Sequence, residues 1–181
     1  MKRRTFDGIV TLVGFGLSIF LFVAAGLLNW GYSFADNTVK EQLAAQKIFF
    51  PAANSPGLPA AEFPLLQQYG GQQLVNGKQA QMYADHFIAV HIKSIAGGKT
   101  YSEMSTLSRQ NPTDATMAGQ VATLFKGETL RGMLLNAYAF WQLGQIAKIG
   151  AGVSLLGGLI LLLLSLMGWS HLRRTPIGTT I

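Results

Sequence analysis

Residues Ile149-Gly-Ala-Gly-Val-Ser-Leu-Leu-Gly-Gly-Leu-Ile-Leu-Leu-Leu-Leu-Ser-Leu-Met-Gly-Trp169 decide the fold. No charged side chain occurs from Ile149 to Ser170. A stretch of about 20 apolar residues is enough to cross a bilayer as a helix, and this run reaches it. A second such run opens the chain. From Gly8 to Ala35 there is again no charge, and Trp30 and Tyr32 stand near its end, where an interfacial aromatic belt belongs.

Charge placement orients the two runs. Lys2, Arg3 and Arg4 precede the first, and Arg173 and Arg174 follow the second. Basic clusters close to membrane ends stay cytoplasmic, so both termini are expected on the cytoplasmic side. The expected division is a basic start at 1–7, a first span at 8–32, an extracytoplasmic helical domain at 33–148, a second span at 149–169 and a cytoplasmic tail at 170–181. A cleaved signal peptide is the rival for the first span, since Ser33-Phe34-Ala35 resembles a small-x-small site. Its apolar core exceeds the 7–15 residues usual for such peptides, which favours a retained span.

Composition agrees. Of 181 residues, 49% are hydrophobic and only 12% charged, against about a quarter charged in soluble domains. The net charge of +6 suggests a phosphate-binding surface until it is placed. Between the runs nine Lys/Arg meet seven Asp/Glu, so most of the excess flanks the spans and nucleic acid is not an expected partner. The chain has no cysteine, which removes disulfides, thiolate metal sites and cysteine nucleophiles together.

Neither span holds an ionisable residue in its interior, so an ion path or proton relay within this chain is not expected. Small residues instead recur at packing intervals: Gly150, Ser154 and Gly158 in the second span, Gly14 and Ser18 in the first. Such ridges let helix backbones approach closely, either within one molecule or against a second copy or partner.

The middle segment reads as helices and breakers. Ser33 or Asp36 is placed to cap a helix to about Phe50, unless that helix simply prolongs the first span. Pro51, Pro56, Pro59 and Pro64 enforce an irregular connection. From Lys78 to about Ala96, residues Ala80, Tyr83, Ala84, Phe87, His91 and Ile95 share one face, with Gln79, His86 and Lys93 on another. Thr100 and Glu103 form a capping box ahead of a short helix that stops before Asn111-Pro112. After Thr113-Asp114 one long helix is expected to run into the second span, bent near Gly127. Only Gln72–Val75 carries a weak strand pattern. The fold class is therefore all-α: two transmembrane helices extended by a helical extracytoplasmic bundle.

Chemistry is sparse. His91 follows His86 by five positions, which turns them about 140° apart on an α-helix and argues against a shared metal. His86 is expected on a solvated face and His91 half-buried. Met82, Met104, Met117 and Met133 read as core residues, and a haem attachment motif would need cysteine. No Gly-x-Ser-x-Gly, paired carboxylate or phosphate-cradling glycine loop occurs, so no cofactor, metal or catalytic residue is assigned. The distinctive stretch is Gly127-Glu-Thr-Leu-Arg-Gly-Met-Leu-Leu-Asn-Ala-Tyr-Ala-Phe-Trp141. Its Glu128, Arg131, Asn136, Tyr138 and Trp141 are either interfacial anchors or a partner or lipid contact.

With Tyr83-Ala-Asp-His-Phe-Ile-Ala-Val-His-Ile-Lys93 and Gly97-Gly-Lys-Thr-Tyr101, that stretch resembles a family of small, largely uncharacterised actinobacterial two-pass membrane proteins. Their shared plan is a span, an extracytoplasmic helical segment and a Gly-Glu-Thr-Leu-Arg-Gly-type motif before the last span. The resemblance covers most of the chain and implies a plasma membrane setting. It carries over no site residue. Some members bear a ring-opening dioxygenase label, for which this sequence lacks an iron triad. The function expected is non-catalytic association in the cell envelope, as accessory subunit, assembly factor or scaffold, with a membrane-protein partner or a second copy. The alternative is an extracytoplasmic ligand-sensing or lipid- or quinone-binding module; a membrane enzyme ranks last.

Overall fold

The computed structural model describes residues 3–174. The tail beyond Arg174, together with Met1 and Lys2, lies outside the described residues. The elements are α1 (Arg3–Ala45), a 3-10 turn (Pro64–Tyr69), α2 (Gly77–Met82), a π-helical segment (Tyr83–Ile88), α3 (Ala89–Ile95), α4 (Tyr101–Gln110) and α5 (Ala115–Arg174). The class is all-α. Among the described residues the only β pairing is an isolated antiparallel bridge, Phe49 with Gln73.

α1 and α5 have 43 and 60 residues, about 65 and 90 Å at 1.5 Å per residue. Each contains a window of mean hydropathy 2.3 and is long and apolar enough to cross a membrane. The chain divides into two compact units. One comprises Met1–Phe34 with Gly144–Ile181, the other Ala35–Leu143.

In the first unit two helices pair through small residues. Thr11, Ser18 and Ala25 are buried on α1, and Ala151 and Ser165 on α5, with Gly158 between them. Both sets repeat every seven residues. A strict seven-residue repeat winds helices left-handedly, because an ideal α-helix would drift off the seam. The pairing is antiparallel: Gly8 meets Leu172, Gly14 meets Ser165, Gly158 meets Phe22 and Gly150 meets Leu28. Ser18 Oγ donates to the Gly158 carbonyl at 2.8 Å. Gly14, Ser18, Gly150 and Gly158 of the expected ridges thus contact the other helix of the same chain. Ser154 is half-buried one turn from Gly158. The buried seam runs at seven-residue spacing, not four, since seven keeps residues in line over several turns. The opposite faces are bare apolar surface, with Phe20 66% and Met167 69% exposed.

In the second unit much of the core comes from the connection between α1 and α2, residues 46–76. Phe50, Leu58, Leu66 and Leu74 are almost completely buried there. Each such side chain contributes roughly 1.5–3 kcal/mol relative to exposure. Lys47 adopts φ 52°, a left-handed conformation that ends α1 five residues before the expected stop and turns Phe50 inward. Phe50 N then bonds Gln72 O at 2.9 Å and Leu74 N bonds Ile48 O at 2.9 Å. The weak strand signal at Gln72–Val75 is this short pairing.

α1 also passes Ser33 and Asp36 without a break, so neither caps a new helix. The capping box is present: Thr100 N donates to Glu103 Oε2 at 2.7 Å, and Glu103 N to Thr100 Oγ1 at 3.3 Å. Asp114 caps α5 by accepting from Met117 N at 2.9 Å. α5 continues through Gly127, where a side chain would strike Ile92. Gly127 serves close approach between α3 and α5.

Candidate functional site

The second helical region departs from its expected face, and the π segment is the reason. Bonding from i to i+5 over Tyr83–Ile88 takes up one extra residue and rotates everything after it. Ala80 and Ala84 are buried as the α-helical pattern requires. Beyond Ile88 the buried positions become Ile92 and Ala96, each one residue past His91 and Ile95, which are exposed. His86 is half-buried and His91 exposed, the reverse of expectation. His91 Nδ1 sits 2.8 Å from Phe87 O, and its ring stacks on Phe63 with centroids 5.6 Å apart. Gln79, expected on the polar face, is buried with both ends of its amide hydrogen-bonded. Its Oε1 accepts from Val75 N at 2.8 Å, and its Nε2 donates to Gln72 Oε1 at 3.2 Å.

A run of rings links the proline-rich connection to these helices. Tyr69, Phe50, Tyr83 and Phe87 follow one another at centroid distances of 5.3, 5.1 and 4.7 Å. Such pairs add about 0.5–1.5 kcal/mol each beyond their burial. Burial raises the Tyr83 hydroxyl above its ordinary range.

The distinctive stretch of α5 is mostly spent inside the unit. Trp141 Nε1 donates to Asp36 Oδ1 at 2.9 Å, and its indole lies against Gly77. Arg131 Nη2 reaches Asp85 Oδ1 at 3.1 Å on the π segment, and Nη1 reaches Glu128 at 3.6 Å. Tyr138 packs beside Trp141 with centroids 6.3 Å apart. Of the five candidate contact residues, Asn136 is exposed into the concave surface between α1 and α5.

That surface is a groove of about 860 Å³. Its walls are one side of α1 (Thr38, Val39, Gln42, Leu43) with Gln46 just past its end, and one side of α5 (Leu130, Met133, Leu134, Asn136, Ala137, Phe140), closed by Ile48, Tyr83 and Ile88. Leu130 and Met133 are 53% and 67% exposed. Met133 was expected in the core, as Met82 and Met104 are. Helical spacing gives a face but not which neighbour covers it. The sequence signal for the groove was the Leu130, Met133, Ala137, Phe140 stripe, which reads identically to a buried stripe. Among the described residues no three His, Asp or Glu side chains gather to hold a metal ion.

No family model, curated protein or solved structure matches this chain.

Proposed function

We propose that the chain is a two-pass protein of the bacterial plasma membrane that acts without catalysis, by association in the cell envelope. In this reading both termini are cytoplasmic and residues 33–148 lie outside. Its role is that of an accessory subunit, assembly factor or scaffold, and its working surface is the groove between α1 and α5. The observation that carries this is the exposure of Leu130 and Met133 in a concavity that the chain itself leaves open. Apolar side chains gathered in a concave surface mark binding sites.

Support for the membrane setting comes from cation–aromatic pairs in the first unit. Lys148 Nζ lies 4.8 Å from the Tyr32 ring centroid, and the Arg173 guanidinium 4.3 Å from that of Trp169. Aromatic rings with long basic side chains are the usual anchors at the two faces of a bilayer.

Because the chain has no cysteine, single cysteines report cleanly. K99C should react with a membrane-impermeant maleimide in intact cells; reaction only after lysis would overturn the topology. M133C should be protected in native membranes and become reactive in protein purified away from its partners. Equal reactivity in both settings would remove the groove as a working surface.

A further inference from the structure

Resting on the groove as working surface, we infer that its occupant is an uncharged amphiphile: a hydrocarbon body with a neutral hydroxyl, carbonyl or ester head. Size is the first argument. A specific protein interface draws about 20–30 residues from each side, whereas fourteen residues line this groove. Its 860 Å³ falls within the roughly 300–1,000 Å³ of single small-molecule sites. The groove by itself therefore matches one bound molecule rather than a whole protein interface.

Charge is the second argument. None of the lining residues is Asp, Glu, Lys, Arg or His, although Lys40 and Glu41 of α1 and Lys47 just past its end lie in the same stretch. An ionic head inside would lose part of its hydration with no counter-charge to offset the loss.

Polarity is the third. Thr38 and Gln42 on α1 and Gln46 just past its end recur every four residues, and Asn136 stands on the α5 wall. Among the described residues the side chains of Gln42, Gln46 and Asn136 make no hydrogen bond within the chain. Amides both donate and accept, which suits a neutral head and gives no preference for either ionic sign. The apolar floor of Val39, Leu43, Leu134 and Phe140 takes the hydrocarbon.

The test uses the full chain in uncharged detergent and three diazirine-bearing probes of one alkyl length, ending in an alcohol, a carboxylate or a trimethylammonium. After photolysis, adducts are mapped by peptide mass spectrometry. The alcohol should label the 38–48 and 130–140 segments about tenfold more than either ion. Replacing Gln42 and Asn136 by Leu should lower alcohol labelling about two- to tenfold per side chain, from the lost hydrogen bonds. Ala137→Phe, which fills the groove, should abolish it. Equal labelling by all three probes, preference for an ion, or adducts outside the groove would overturn the inference. If M133C is protected in native membranes while the alcohol fails to label, the occupant is another molecule; the inference then falls and the groove stands. If M133C is unprotected as well, both fall.

Discussion

The indole Nε1 of Trp141 donates a 2.9 Å hydrogen bond to Asp36, joining α5 to α1 across 105 residues of sequence. The same ring rests on Gly77 at the first turn of α2. One side chain therefore fixes three elements of the Ala35–Leu143 unit.

Trp141→Phe keeps most of the ring contact and loses the hydrogen bond to a carboxylate, so it should destabilise by about 1–2 kcal/mol. Gly77→Ala leaves the bond intact but drives a methyl into the indole, and should cost more. Thermal unfolding of both variants in detergent gives the order; a more stable Gly77→Ala would refute this account.

Gly127→Ala pushes a methyl into the Ile92 γ-methyl and should cost about 1–3 kcal/mol. Ile92→Leu removes that methyl from the β-carbon. The double variant should therefore lose less stability than the two single losses combined. Strict additivity in denaturant unfolding would show that the two residues do not touch.

A β-carbon built at Gly14 stands 3.5 Å from Ser165 Cβ, inside the ~3.5–4.5 Å range of a disulfide. G14C with S165C should oxidise within one chain, giving a monomeric cross-linked band. Adding Gly158→Leu should abolish the cross-link by wedging the seam at Phe22. Gly152→Leu, at a position with nothing within 4 Å, should not. Mainly intermolecular dimers would mean that the ridge serves association between copies.

Two groups should respond to pH in opposite directions. The Thr100 backbone N–H, then its hydroxyl, stabilise the Glu103 carboxylate and lower its pKa below 4.5. A depressed folded value means the cap is intact above the ordinary range and is lost as pH falls through the folded value. A carboxyl NMR titration should place Glu103 below 4.5, and Thr100→Ala should return it toward that value. Tyr83 is raised above 10.0 by burial. Its contribution is complete below 10 and is lost as pH rises through the folded value. Tyr83→Phe should flatten the alkaline loss of stability, and an unchanged alkaline limb would exclude Tyr83 as its source.

Local chemistry made much of this chain legible in advance. The charge-free runs ending at Tyr32 and beginning at Ile149 establish two long apolar helices, because hydrocarbon length and backbone hydrogen bonding admit few alternatives. Thr100 with Glu103, Asp114, and the prolines of 51–64 act on their own backbone neighbours, so their effects stand in the sequence. Which of two stripes would be covered was a different matter. His91 and Ile95 yielded the core to Ile92 and Ala96 through one π turn, which no periodicity announces. Trp141 and Arg131 read as free contacts until Asp36 and Asp85, far away in the chain, came within hydrogen-bonding distance. Leu130 and Met133 carry the pattern of buried residues yet face an open groove. Pattern specifies which side of a helix is apolar; only tertiary packing specifies what, if anything, lies against it, because burial is a property of pairs of surfaces.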